Sequence, residues 1–126
     1  MNKVILDKID NWPNSWKICN QDIAYGNKLV KLMKPFIIEL LETYTSRTVK
    51  KHIDNLWLLG GFTIDRINRN EKYRNTEPCL LLPAFIDSID GPLIHDLSEE
   101  EQKSFDSTCR KFYKHLVENI LIKLVS

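Results

Sequence analysis

Apolar residues between Asp22 and Tyr44 recur at spacings of three, four and seven positions, the period of one face of an α-helix. Asp22 is suited to cap its start, because a carboxylate accepts from the first amides of a helix. Pro35 lacks an amide donor and clashes with the preceding turn, so we expect a kink or a split near Lys34. Gly26 weakens the first turns. The predicted stripe consists of Ile23, Val30, Met33, Ile37, Leu40, Leu41 and Tyr44.

A second helix is predicted to begin at a hydroxyl cap, Thr45 or Ser46. Its apolar stripe consists of Val49, Ile53, Leu56, Gly60, Ile64 and Ile67. Because the stripe keeps its phase beyond the glycines, the pattern favours a helix through Gly60-Gly61 to about Asn68. Two glycines cost about 2 kcal/mol relative to alanine, so we expect them to bring another backbone close. The alternative is a helix that ends at Leu59, with Gly60 as its cap.

A third long helix is predicted from a capping box at Ser98–Glu101 to about Leu124. In such a box Ser98 accepts from the amide of Glu101, whose side chain reaches back. Asp106 and Arg110 are four positions apart and are expected to pair. The predicted apolar face consists of Phe105, Cys109, Phe112, Leu116, Ile120 and Leu124, widened by Tyr113, Val117 and Leu121.

The remaining segments are short. Residues 1–20 are predicted to be irregular, and 68–78 to be a loop. Residues 79–86 are predicted to be a buried short helix around Pro83, with a strand as the alternative. Residues 87–92 predict a turn. Because no alternating strand pattern accompanies the long helices, the sequence predicts an all-α fold, a single-domain bundle of four or five helices over residues 1–126.

Composition adds little until the distribution of charge is considered. The chain has 126 residues and a formal net charge of +1, so a global field for nucleic acid or membrane is absent. Residues 45–75 carry seven basic and three acidic side chains, whereas residues 86–106 carry seven acidic and one basic. Two interpretations are open. The two regions are either ordinary solvated faces, or a positive face for a polyanion with an acidic face elsewhere.

The cysteine pattern and the short apolar runs bear on the cellular compartment of the protein. Cys19, Cys79 and Cys109 are an odd number without a CxxC motif, which favours a reducing environment. The first seven residues do not form a signal peptide. No window approaches the ~18 apolar residues of a membrane span. We therefore expect a cytoplasmic protein with no membrane partner.

The sequence contains no motif for catalysis or for a metal. His52, His95 and His115 are isolated from one another and from cysteine pairs, so each is interpreted as structural or exposed. The segment 110–115 is interpreted as a core edge with a cationic surface, because six successive helical positions radiate around the axis. We expect no enzyme, no cofactor and no metal. An unrecognised site near the acids of residues 87–99 is the remaining enzymatic alternative.

Positive charge is concentrated at the start of the second predicted helix, where Arg47 and Lys51 lie four positions apart and Lys50 flanks them. The runs 36–41 and 44–56 resemble the N-terminal core-binding, SAM-like domain of tyrosine recombinases and phage integrases. The residues that match are Ser46, Thr48, Val49, Lys50, Lys51, Ile53 and Leu56. Residues 90–93 and 98–113 look similar to small uncharacterised bacterial proteins.

The resemblance implies a small helical bundle that clamps DNA, of the kind found in mobile elements. The arginine, lysine, histidine and tyrosine set of the recombinases is missing, so the resemblance implies a stand-alone, non-catalytic DNA-binding module. Contacts through phosphates position such proteins and are sensitive to salt. The predicted nucleic-acid-binding residues are Arg47, Lys50, Lys51, Arg66, Arg69 and Arg74.

The alternative function is a protein-interaction module or homodimer with no role in nucleic-acid binding. Its basis is the apolar surface that the helical stripes do not use, because clustered exposed apolar residues mark partner sites. The residues predicted for this surface are Trp12, Trp16, Trp57, Leu58 and Phe62.

Overall fold

The structure, a computed structural model, describes residues 2–121, and every regular element in that part of the chain is helical. The predicted all-α fold is confirmed. The chain divides into two compact units, Met1–Pro78 and Cys79–Ser126. The single domain predicted for residues 1–126 stays a prediction.

The N-terminal unit contains five helices: α1 (Asn2–Asp10), α2 (Trp12–Trp16), α3 (Gln21–Thr43), α4 (Ser46–Arg69) and α5 (Glu71–Arg74). The two long helices α3 and α4 pack against each other, and the short α1 and α2 both contact α3. The fully buried side chains of Leu29, Met33 and Ile37 on α3, with Leu56 and Ile64 on α4, form its core.

The irregular segment predicted for residues 1–20 is wrong, because this part forms α1 and α2. Ile5 and Ile9 share one face of α1, and Ile9 is buried. Pro13 lies in the first turn of α2, where a missing amide donor is tolerated. It packs on Gly26 of α3, since a Cβ added there would lie 2.8 Å from Pro13 Cβ.

Helix α3 is continuous through Pro35, so of the predicted kink or split near Lys34 the split is wrong. Pro35 itself is exposed, but Met33, Phe36 and Ile37 around it are buried. Burying one such side chain is worth about 1.5–3 kcal/mol, so three of them outweigh the ~3 kcal/mol cost of the proline. Tyr44 lies beyond the end of α3 and is exposed, so its place in the predicted stripe is also wrong.

The continuous α4 that the apolar stripe predicted is confirmed. Thr45 is its cap, with Oγ1 accepting from the amide of Thr48 at 3.4 Å. The stripe is buried along its length, with Ile53 half-buried. The group that comes close at Gly60 is the indole ring of Trp16, so the prediction of a second backbone there is wrong. A Cβ at Gly60 would overlap that ring.

Helix α6 (Pro78–Leu81), which begins at the last residue of the N-terminal unit, leads into a 3₁₀ turn (Leu82–Ala84), which confirms the short-helix interpretation of residues 79–86. The loop predicted for residues 68–78 is in part helical, because α4 extends to Arg69 and α5 follows. Asp87 closes the predicted turn, since its Oδ1 accepts from the amides of Ile89 and Asp90.

Helix α7 (Glu99–Leu116) continues into a π-helical turn (Val117–Leu121). Its predicted face is buried at Phe105, Cys109, Phe112 and Leu116. The structure describes the backbone but not the side chains of residues 120 and 121, and residue 124 lies outside the described residues, so the prediction for these three side chains stays a prediction.

The helix cap at Ser98 is confirmed, because its Oγ accepts from the amide of Glu101 at 3.2 Å. The reciprocal half of the capping box is wrong, since Glu101 Oε2 lies 3.2 Å from His95 Nδ1 instead.

The pair predicted between Asp106 and Arg110 is also wrong. Asp106 accepts from the Gly91 amide at 3.1 Å, and Arg110 donates to the Ile89 carbonyl at 3.0 Å. Both side chains bind the backbone of the preceding segment.

Candidate functional site

A groove of about 810 Å³ lies on the N-terminal unit between α1 and the first half of α4. Eight of its twelve lining side chains are apolar. Concave, largely apolar surfaces with a few polar groups are the usual form of ligand and partner sites. Its walls come from α1 (Ile5, Lys8, Ile9) and α4 (Ser46, Val49, Lys50, Ile53, Asp54, Trp57, Leu58), with Trp12 and Leu41 completing it.

The lining positions follow the helical period on both walls. Those on α4 begin at Ser46 and recur at i+3, i+4, i+7, i+8, i+11 and i+12, one face over about three turns. At 1.5 Å per residue, this wall is roughly 18 Å long. On α1 the three positions are i, i+3 and i+4. The groove is therefore a slot between two helices.

A cluster of tryptophans fixes one side of the groove. Trp16 is buried over Gly60 and donates from Nε1 to the carbonyl of Trp57 at 2.9 Å. Trp57 donates from Nε1 to Ser15 Oγ at 3.0 Å, and Ser15 donates to the carbonyl of Trp12 at 2.7 Å. The ring of Trp57 is 41% exposed although its polar atom has a partner within the protein. The groove therefore presents Trp57 as an apolar surface.

Of the five residues predicted to contact a protein partner, three line the groove and two do not. Trp12, Trp57 and Leu58 line the groove. Trp16 belongs to the core, and Phe62 is half-buried beneath the guanidinium of Arg66, 4.7 Å from the ring centroid.

Two further groove residues, Ile5 and Ile9 of α1, were not predicted. The signal that identifies them is their spacing of four positions, which places both on one helical face.

The six cations predicted to bind nucleic acid have different surroundings. Lys50 pairs with Asp54 at 3.0 Å, and Arg69 pairs with Asp65 at 2.9 Å. Arg66 lies over Phe62. Arg47 and Lys51 are exposed and make no ion pair with any residue that the structure describes. They are the two members of the set whose charge is available at the start of α4.

Arg74, the sixth cation, belongs to a buried polar network. Its guanidinium donates to Asp22 Oδ1 at 2.8 Å and to Asn68 Oδ1 at 2.9 Å. Asp22 is fully buried and also accepts from the amides of Ile18 and Cys19 at 2.7 and 3.0 Å. The predicted capping role of Asp22 is therefore wrong: α3 begins one residue earlier, and Asp22 joins it to the end of α4 and to α5.

The network determines the ionisation of Asp22. Burial raises the pKa of this carboxyl, but the hydrogen bonds from Cys19, Ile18, Asn68 and Arg74 outweigh it and lower the pKa to about 2. The same carboxylate raises the pKa of Arg74. The pair is thus charged throughout the neutral range, and it connects three helices of the N-terminal unit.

Within residues 2–121, the structure shows neither a reactive environment for Cys109 nor a cluster of metal-ligating side chains. Cys109 is buried, and burial raises the pKa of its thiol, which keeps it protonated and unreactive. Across the described residues, no three histidine, cysteine or acidic side chains cluster as metal ligands would. Within that part of the chain, no helix has the length and apolar character to cross a membrane.

Comparisons with known proteins give no relative for this chain: family models, curated proteins and solved structures all yield no match. The candidate site is therefore defined by its geometry.

Proposed function

We propose that the N-terminal unit is a non-catalytic binding module whose groove accepts the apolar face of a helix from a partner protein. The observation that carries this proposal is the exposed, tryptophan-walled slot between α1 and α4. Large aromatic side chains exposed in a concave surface are typical anchors of protein interfaces.

The dimensions of the slot suit a helix. Its α4 wall is about three turns long, enough for a partner to place apolar side chains at i, i+3 or i+4, and i+7. Helix-in-groove recognition uses this spacing. A partner helix would lie between α1 and α4 and pack against the apolar side chains of both walls.

The charged side chains that line the groove favour one kind of partner charge. Lys50 and Asp54 neutralise each other at 3.0 Å, whereas Lys8 is exposed and makes no ion pair with the described residues. An acidic residue beside the apolar face of the partner would complement Lys8. Because rim charges act mainly on association rate and orientation, we expect affinity to depend chiefly on the apolar contacts.

The test is a selection of amphipathic helical peptides of about 15 residues, followed by calorimetric titration of the selected peptides. We expect Trp57→Ala to weaken binding at least about tenfold, as hot-spot aromatics do. Ile38→Ala is the matched control, because Ile38 on α3 is 42% exposed and does not line the groove.

Three results would refute this function. One is equal weakening by Trp57→Ala and Ile38→Ala. Another is a concentration-dependent dimer in light scattering that Trp57→Ala abolishes, which would assign the groove to a second copy of the chain. The third is displacement of every selected peptide by a fatty acid, which would indicate a lipid site.

A second candidate function, DNA binding, is favoured by the two exposed cations Arg47 and Lys51. They lie four positions apart in the first turns of α4, whose N-terminus is capped by Thr45. Phosphates are attracted to a helix start by cations and amides together. An electrophoretic shift series beginning at about 50 mM salt tests this proposal.

For the DNA proposal, the double variant Arg47→Gln/Lys51→Gln should weaken binding and reduce its salt dependence. The control is Lys17→Gln/Lys31→Gln, which removes the same charge from exposed lysines outside the predicted set. Absence of a shift at the lowest salt, or equal effects of the two double variants, would exclude this site.

A further inference from the structure

The C-terminal unit has a depression of about 420 Å³ beside the second half of α7. Arg110, Tyr113 and Lys114 of α7 line it, together with Ser88 of the preceding turn. We propose that this depression binds a phosphate monoester of mononucleotide size. It lies outside the groove unit, so its test is independent of the proposed function.

Helical spacing brings these side chains together. Arg110, Tyr113 and Lys114 occupy positions i, i+3 and i+4, which share one face of a helix. The predicted core edge with a cationic surface over residues 110–115 is confirmed, because Phe112 and His115 are buried whereas Arg110 and Lys114 are exposed. The depression lies on that cationic surface.

The depression is rich in hydrogen-bond donors. One guanidinium nitrogen of Arg110 donates to the Ile89 carbonyl at 3.0 Å, which orients the planar group. No other hydrogen bond to a described residue is made by Arg110, by the Lys114 ammonium or by the hydroxyls of Tyr113 and Ser88. A phosphate presents several strong acceptor oxygens, and an oriented arginine is its usual partner.

The charge of the lining favours an anion. Arg110, Lys111 and Lys114 outnumber the single acid of the lining, Glu118. Cations in the last turn of a helix offset its dipole, which accounts for Lys114 but not for Arg110, six residues before the end of α7. Like charges four apart repel each other, and a bound anion between Arg110 and Lys114 would remove that repulsion.

The size of the depression and its apolar wall indicate more than free phosphate. Tyr113 and Val117 contribute a ring and a branched side chain to the lining. A volume of about 420 Å³ lies in the range of small-molecule sites. An aromatic ring stacks on a nucleobase, so the phosphate oxygens and the base each have a complementary group.

The experiment is calorimetric titration of the full chain with AMP, inorganic phosphate and adenosine. We expect AMP to bind, phosphate to bind more weakly, and adenosine not to bind. Arg110→Gln and Lys114→Gln should each weaken AMP about tenfold, because each removes a charge-assisted hydrogen bond. Lys103→Gln is the control, an exposed lysine of the same helix outside this depression, and should leave AMP affinity unchanged.

The proposal is overturned by the absence of AMP binding at about 10 mM, by equal binding of adenosine, or by an equal loss in Lys103→Gln. Duplex DNA binding that Arg110→Gln weakens, without AMP binding, would assign the surface to nucleic acid and also overturn it. If Arg110→Gln does not fold, Tyr113→Phe serves as the second variant. It removes one hydroxyl from the depression and should weaken AMP binding.

Discussion

Alanine substitution at the two adjacent glycines of α4 separates a packing constraint from a helix-propensity effect. Both positions are helical, so each replacement gains up to about 1 kcal/mol of propensity. At Gly61 the new Cβ would lie 3.6 Å from Trp16 Cδ1, an ordinary contact. At Gly60 it would lie 2.6 Å from Trp16 Cε2 and overlap Cζ2 and Cη2 of the same ring. Trp16 must therefore move in Gly60→Ala and can remain in Gly61→Ala.

The cost at Gly60 follows from how Trp16 is held. Its ring is buried, and its Nε1 donates to the Trp57 carbonyl at 2.9 Å. Overpacking costs about 1–3 kcal/mol, and a lost hydrogen bond adds about 1 kcal/mol. After the propensity gain, we expect Gly60→Ala to lower the free energy of unfolding by about 1–3 kcal/mol. Gly61→Ala should raise it by up to about 1 kcal/mol.

The assay is denaturant unfolding followed by tryptophan fluorescence. All three tryptophans, Trp12, Trp16 and Trp57, lie in the N-terminal unit, so the signal reports on that unit. Equal stability of the two alanine variants would refute the close approach of Trp16 to Gly60. As a further check, Trp16→Phe should cost less in the Gly60→Ala background than in the wild type, because the smaller ring relieves the overlap.

Three further predictions concern other parts of the structure. Asp22→Asn should lower the stability of the N-terminal unit by about 2–4 kcal/mol at neutral pH. Because the folded pKa of about 2 is below the ordinary 3.8, the deficit should be full above about pH 4 and vanish as the pH falls through 2. Lys28→Ala is the control: it breaks the exposed pair with Glu77 and should cost under about 1 kcal/mol. A stability deficit in Asp22→Asn that does not change with pH would contradict the low pKa assigned to Asp22. Pro35→Ala should raise stability in thermal unfolding by about 1–3 kcal/mol, because it restores an amide donor inside α3, and a loss of stability would show that α3 needs the proline. In the native protein a thiol reagent should modify exposed Cys19 long before buried Cys109, as measured by peptide mass spectrometry, and equal rates would contradict the burial of Cys109.

The elements that sequence predicts well are those whose signals are local. The start of α4 depends on a hydroxyl three positions before the amide that it caps, and its stripe repeats within the helix itself. The cap of α7 at Ser98 is of the same kind. Such features need no knowledge of distant partners, so pattern and propensity are sufficient to place them.

The elements that sequence misses depend on distant partners. Asp22 has the composition and position of a cap, but its partners Asn68 and Arg74 lie 46 and 52 positions away. The role of Arg74 is missed for the same reason. Sequence alone does not distinguish a surface cation in a basic segment from a cation that pairs with a buried acid. In the groove, Trp57 was predicted as surplus apolar surface, whereas α1 was missed because its signal is a single pair of isoleucines.

Trp16 and Trp57 show how the N-terminal unit can separate stability from binding. The Nε1 of Trp16 binds the carbonyl of Trp57, and the Nε1 of Trp57 binds Ser15, one residue before Trp16. The Trp16 indole thus binds the backbone of Trp57, and the Trp57 indole binds the residue next to Trp16. The two rings differ in exposure, because Trp16 is buried and Trp57 is 41% exposed. Trp16→Ala should therefore unfold or loosen the unit, since large-to-small changes in a core cost about 3–5 kcal/mol. Trp57→Ala should retain the fold and lose the partner. A variant at Trp57 that destabilises the unit as much as one at Trp16 would mean that the exposed ring serves the fold, and the groove would then lose its main anchor.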